Sequence, residues 1–319
     1  MNISIIYHIM PWEIDYALLS FTQLKKSKYY LPKDANITIN TVLNLSSYLI
    51  DWDKSELPKS YFIEKYNTIS VLLKDYNHNS TIYCGEELYG FFELQNSSIS
   101  KETDYYVHLC PDIYFSEYAL TYMIEAAKQI KNKYFVITPQ TYKVGDVDWD
   151  KIVNPKYMDV PYTDYLKADV FDIRYDNKNA GQEIDIHSMP KSKFAGWLDL
   201  YNKTFYEELC PIHDDWKGYG PWDYYAILIS DMVKNQGVDY QQYLLRGETV
   251  WMYSSGPLLE NNLDGFTQYY RSKLVLKDNK HNQRTTFEAK MADYINIGVE
   301  KLKEKNLIPK NIYVKFVKK

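Results

Sequence analysis

Residues 105–138 constrain the fold more tightly than any other stretch. An apolar run, YYVHL (105–109), stops at Cys110-Pro111-Asp112. Leu120, Met123, Ile124, Ala127 and Ile130 then recur at helical spacing across 116–131, and YFVIT (134–138) closes the unit before Pro139. A strand, an amphipathic helix and a second strand of this length place residues 110–115 in a βα turn. Asp112 then falls at the carboxyl end of a central strand, the edge where open α/β sheets bind ligands.

The N-terminus repeats the pattern. ISIIYHI (3–9) is a continuous apolar strand ended by Pro11, residues 13–28 carry Ile14, Ala17, Leu18, Phe21 and Leu24 on one helical face, and ITINTVLNL (37–45) is a second strand. Helices are predicted over 60–76 and 86–95, with a short strand at 81–84. Beyond 140 the pattern is less regular: strands near 170–175 and 183–188, helices over 191–206 and 222–236 with Gly237 as the terminating cap, a strand over 247–253, and a long helix over 285–305. The predicted fold class is α/β, a Rossmann-type mixed sheet flanked by helices. Its expected division is a nucleotide-binding half (1–140), an acceptor half of the same domain (141–255) and a C-terminal helical extension (256–319).

Composition excludes several classes. The chain has 319 residues, 45% of them hydrophobic and 25% charged, which is ordinary for a globular protein. A net charge of -5 gives no overall attraction to nucleic acid. The tail from Lys301 to Lys319 is basic, a solvated face or a weak contact with membrane or acidic partners. Cys84, Cys110 and Cys210 are odd in number and far apart, against a disulfide scaffold and in keeping with a cytoplasmic location. The N-terminal apolar run is too short for a signal peptide, and no run approaches the ~18 apolar residues of a membrane span. No GxGxxG follows a strand, and GxxxxGK[ST], GxSxG and HExxH are all absent.

Four local constellations remain. Asp112 is an oxygen ligand for Mg²⁺ or Mn²⁺ beside a diphosphate, or a cap of the following helix. GYGPWDYY (218–225) delivers Asp223 into the first turn of a helix, where the macrodipole favours a carboxylate, either as a base or as a plain cap. DVDWD (146–150) opens like a calcium loop but has Lys151 where the glycine belongs and Tyr157 where the last glutamate belongs, so it reads as a surface turn. His213-Asp214-Asp215 is a polar loop whose histidine is a possible metal ligand.

Taken together, a βα nucleotide half, a strand ending in an acid near residue 110 and a Gly-rich segment feeding an acid into a later helix resemble the GT-A class of glycosyltransferases, in particular galactosyltransferase-like and family-2-like members. The resemblance implies transfer of a sugar from a nucleotide-sugar, a UDP-sugar in first place, to a carbohydrate, lipid or protein hydroxyl, with inversion. It implies Mn²⁺ or Mg²⁺ held by Asp112 with His213, Asp223 as catalytic base, and acceptor contacts from Trp197 (in FAGW, 194–197), Gly218, Tyr219, Gly220 and Trp222. It also implies a nucleotide seated against Tyr7, His8, Met10, Pro11, Leu45, Ser46 and Pro111. The class usually carries Asp-x-Asp where this chain has Cys110-Pro111-Asp112, keeping only the second acid. Gln242 and Arg246 are separated by three residues and followed by Gly247, unlike the QxxRW of processive synthases. A nucleotidyltransferase on a related fold, and a non-catalytic glycan-binding protein on a degenerate transferase scaffold, are the alternatives.

Overall fold

The computed structural model describes residues 1–87, 89–143, 185–188, 198–211, 222–252, 269–270, 272–277 and 293–312. Among the described residues nine strands form one mixed sheet: β1 (Asn2–Ile9), β2 (Asn36–Asn44), β3 (Asn77–Tyr83), β4 (Tyr105–Leu109), β5 (Ile113–Phe115), β6 (Tyr134–Lys143), β7 (Asp185–Ser188), β8 (Leu198–Asn202) and β9 (Tyr240–Met252). Their order is β3-β2-β1-β4-β8-β6-β9-β5, with β7 also pairing β9. The β3-β2-β1-β4 half is parallel. β8 enters antiparallel between β4 and β6, and β6 and β9 are parallel to each other. The expected fold class therefore holds: a mixed sheet whose first half has the Rossmann-type order.

Alternation along the strands divides the core into two layers. Ile3, Ile5, Tyr7 and Ile9 of β1 face one layer with Val107 and Leu109 of β4. That layer is closed by α1 (Ile14–Ser27), α2 (Lys59–Leu72) and α4 (Ala119–Gln129). Ile6, Val42, Tyr106 and Val136 face the other layer. There α3 (Phe91–Ser97), the π-helical turn Phe205–Leu209, α5 (Trp222–Asn235) and the helix 293–304 pack. Burial on both faces explains why β1 reads as a continuous apolar run.

Several boundaries differ from expectation, each for a physical reason. The helix expected over 191–206 is replaced in its described part by β8 and the π-helical turn. Leu198 and Leu200 face one layer while Tyr201 faces the other, a period of two that a helical reading overlooks. Pro139 does not end β6. The register jumps there from Pro139 opposite Leu245 to Gln140 opposite Thr249, so a bulge absorbs the missing N–H and the strand continues to Lys143. The strand expected at 81–84 covers 77–83, because pairing with β2 recruits Asn77, His78 and Asn79, which have poor strand propensity of their own. The helix expected over 60–76 ends at Leu72, and Tyr76 turns inward to donate its hydroxyl to the Leu24 carbonyl at 2.7 Å. The helix expected over 86–95 begins only at Phe91, where the Gly90 N–H donates to Glu93 Oε2 at 2.9 Å. β5 was not expected at all. β9 begins at Tyr240, seven residues before the strand expected over 247–253.

Gly237 does close α5. Its φ is +78°, and the Val238 N–H reaches back to the Val233 carbonyl at 3.1 Å, a Schellman ending. The strand expected near 170–175 and DVDWD lie outside the described residues, as do the first eight positions of the helix expected over 285–305.

Candidate functional site at the carboxyl edge of the sheet

The parallel half changes winding direction at β1: β2 lies on one side of it and β4 on the other. The crevice beyond the carboxyl ends of β1 and β4 is thus a topological switch point, the position where open α/β sheets hold ligands. Ile6 of β1 is paired with His108 of β4, and Met10 and Asp112 each stand four residues further along. The turn at Pro111 and Asp112 leads straight into β5, and α4 starts only at Ala119 with Tyr118 as its cap residue. Asp112 is therefore no helix cap. It is half-buried, between a buried Pro111 and a buried Ile113.

Of the residues expected to seat a nucleotide, Tyr7, His8, Met10 and Pro11 end or follow β1, Leu45 and Ser46 follow β2, and Pro111 follows β4. Tyr7 is fully buried, shares a 2.7 Å hydrogen bond with Ser20 Oγ and packs its ring 4.1 Å from that of Phe21. Burial pushes its hydroxyl pKa well above the usual value. His8 points into the opposite layer, where its Nε2 lies 3.0 Å from the Tyr89 carbonyl. Burial lowers its pKa to about 4, outweighing that carbonyl's opposing pull, so the ring is neutral at pH 7 and donates. Met10 and Pro11 are buried, and the Met10 N–H donates to Glu13 Oε2 at 3.0 Å, closing the loop after β1 on itself. Leu45 is buried and its N–H donates to the Tyr83 carbonyl.

Ser46 differs from these. Its N–H donates to Asn44 Oδ1 at 3.1 Å, but its Oγ is buried with no hydrogen-bond partner among the described residues. A buried hydroxyl without a partner is costly and rare, and a ligand is one of the things that can complete it.

The second half contributes through topology. β8 starts at Leu198, paired with Leu109 at the end of β4, so the chain enters the sheet at this same edge. β9 is parallel to β6, and β6 and β4 are both antiparallel to β8, so β9 points the same way as β4. Helix α5 turns directly into β9 and packs on the sheet, hence runs back against it. Its first turn, with the backbone of Trp222 and Asp223, lies toward the carboxyl edge that carries Asp112. Trp197, His213, Gly218, Tyr219 and Gly220 lie outside the described residues.

One buried acid escaped the sequence reading. Asp199 of β8 is paired with His108, near the same edge, and is 0% exposed. Thr138 Oγ1 donates to its Oδ1 at 2.7 Å and Tyr201 donates to its Oδ2 at 3.0 Å, while Gln242 Nε2 donates to Thr138 at 2.9 Å. Gln242 is thus a core partner of this network. The alternation LDLYN was the available signal, hidden by assignment of the segment to a helix. Beside it, His108 is buried within 2.7 Å of Gln95 Nε2, and burial lowers its pKa to about 3.

Among the described residues no three His, Cys, Asp or Glu side chains cluster as a metal cage. Asp112 alone fits the lesser demand of Mg²⁺ or Mn²⁺ on a substrate diphosphate, where one or two carboxylates suffice and phosphate oxygens and water complete the shell. None of the three cysteines forms a disulfide, and among the described residues no helix is long and apolar enough to cross a membrane.

No family model and no curated protein matches the sequence. Among solved structures, Staphylococcus aureus TarS 1–349 is similar at 11% identity and a TM-score of 0.42, over 79% of this chain and 60% of that one. The same TarS fragment in complex with UDP-GlcNAc gives 11% and 0.41, over 80% and 59%. GalNAc-T7 with UDP, GalNAc and Mn²⁺ gives 9% and 0.45, over 80% and 44%. The chain thus spans about 60% of the TarS fragment's length and less than half of the GalNAc-T7 chain's.

Proposed function

We propose that the chain is a glycosyltransferase that moves a sugar from a nucleotide-sugar, a UDP-sugar first, to a hydroxyl acceptor with inversion. The observation that carries this reading is the half-buried Asp112 at the switch point between β1 and β4. The hydroxyl of Ser46, just beyond β2 and without a partner among the described residues, supports a ligand on the same edge. In this reading the nucleotide lies over Met10, Pro11 and Ser46. Asp112, with His213 as a second ligand, would hold a divalent ion, which when bound would neutralise charge on the leaving diphosphate. Asp223, in the first turn of α5, accepts the acceptor hydroxyl proton. The oxygen then forms its bond to the anomeric carbon as the bond to the diphosphate breaks. Trp197, Tyr219 and Trp222 offer apolar faces for the acceptor sugar.

The test is a thermal-shift titration with UDP-sugars, with and without Mn²⁺, on wild type and Asp112→Asn. UDP-GlcNAc, the compound in complex with TarS, is included. Wild type gains apparent stability by mass action, and the variant loses the metal-dependent part. Product analysis then separates the chemistries: nucleoside diphosphate marks sugar transfer and pyrophosphate marks nucleotidyl transfer. An Asp112→Asn protein with wild-type turnover would overturn the role of Asp112.

A further inference from the structure

The opposite edge of the parallel half holds a second feature with no part in the reading above. A cavity of about 310 Å³ opens at the amino ends of β1, β2 and β3, closed on one side by the chain that follows α3. The size is at the lower end of small-molecule sites, which begin at about 300 Å³. The cavity lies on a face of a parallel sheet, where apolar side chains are the norm. Here the strands present Ser4, Thr38, Asn40, Asn77 and Asn79 instead. Asparagine is poorly suited to strands, so concentrating it here runs against local preference.

These side chains are held in fixed orientations by one another. Asn79 Nδ2 donates to Asn40 Oδ1 at 2.9 Å, and Asn40 Nδ2 donates to Ser4 Oγ at 2.9 Å. In the next row Asn77 Nδ2 donates to Thr38 Oγ1 at 3.0 Å. The two hydroxyls that end these chains accept, so each retains its own proton to donate. Each amide also keeps a second N–H. The result is a lattice of oriented neutral donors and acceptors in a recess. Among the described residues Glu102 is the single charged residue lining it, and no cation does. An anion finds no counter-charge there, and an apolar ligand would strand the amides.

We propose that this recess binds a neutral polyhydroxylated ligand, one sugar unit of an uncharged glycan, at a site separate from the carboxyl edge. The recess reaches Ser4 and Asn40, six residues before Met10 and Ser46, so the two sites stand roughly 20 Å apart at about 3.3 Å per residue. The proposal does not depend on the transfer chemistry, because the recess is built from different residues at the other end of the strands.

The test is NMR observation of the asparagine side-chain amides of the full chain during titration with maltotriose, cellotriose and chitotriose, with glucose 6-phosphate as the charged control. Saturable shifts at Asn40, Asn77 and Asn79 with a neutral sugar are expected. Thr38→Val with Asn79→Val is expected to weaken binding at least about tenfold, the effect of losing two hydrogen bonds. Asn77→Ala, at an exposed position, is the second variant should the double one unfold. The proposal is overturned if no neutral sugar moves these amides at about 20 mM, a concentration that reveals millimolar affinity. It is also overturned if the folded variants bind as wild type does, if the charged control binds equally, or if light scattering shows a dimer that closes the recess.

Discussion

His8 and His108 are buried neutral in the layer under α3 and α5, which gives the protein an acid sensitivity that can be worked out in advance. Their pKa values in the folded chain are about 4 and about 3, against about 6.5 for an exposed histidine in the unfolded chain. Between pH 7.5 and pH 5 the unfolded chain takes up both protons and the folded chain takes up almost none. The stabilisation is thus fully present above pH 6.5 and is lost as pH falls, until the folded state itself protonates near pH 4 for His8 and near pH 3 for His108. Each histidine contributes a slope of about 1.4 kcal/mol per pH unit inside that window. The loss from pH 7.5 to pH 5 is about 2 kcal/mol for each residue and about 4 kcal/mol for the pair. Urea unfolding at a series of pH values measures it. His8→Gln and His108→Gln should each remove one proton's worth of slope, and the double variant both, whatever their effect at pH 7.5. Wild type and double variant with the same slope from pH 7.5 to 5 would refute the assignment of these two rings as the buried neutral groups.

Three further outcomes follow from the described geometry. Ser46→Ala removes a buried hydroxyl without a partner among the described residues, so the ligand-free protein should keep or gain up to about 1 kcal/mol in urea unfolding, while UDP-sugar binding weakens by about tenfold in calorimetry. A loss of stability would show that the hydroxyl has an internal partner. Gly237→Ala meets no atom within 4 Å, so the only penalty is the left-handed backbone at φ +78°; it should destabilise by about 1 kcal/mol in the same assay, and a neutral result would contradict the Schellman ending. Asp15 accepts from both Lys65 and Tyr270, each at 2.5 Å. Asp15→Ala and Tyr270→Phe should each cost about 1–3 kcal/mol and couple in a double-mutant cycle; strict additivity would show that the contact carries no energy.

The first half of the fold was legible because its strands are apolar on both faces and its helices have regular stripes. YYVHL gives β4 to the residue, and Ile14, Ala17, Phe21 and Leu24 all lie in the buried face of α1. What was illegible had its conformation set by partners distant in sequence. Asn77, His78 and Asn79 become strand through hydrogen bonding to β2, and the LDLYN segment becomes strand by insertion between β4 and β6. At the candidate site the position of Asp112 could be read from the strand before it, though β5 could not. Asp199 was invisible because its burial depends on Thr138 and Tyr201 supplying hydrogen bonds.

The short stretches 269–270 and 272–277 have a consequence for how the protein is made. Tyr270 and Leu274 complete the core layer under α1 and α2, and Ile50 bridges Leu276. The N–H groups of Asp51 and Glu56 bond to the carbonyls of Val275 and Lys273, in the stretch that follows Ser46. During synthesis at about 5–20 residues per second, this stretch waits on the order of 10–40 s for its partner segment. Until then the nascent N-terminal half has an open flank for a chaperone or protease. Pulsed proteolysis of ribosome-bound chains should find residues 45–58 cleavable before Lys277 emerges and protected afterwards. Early protection would mean that the loop closes without the segment.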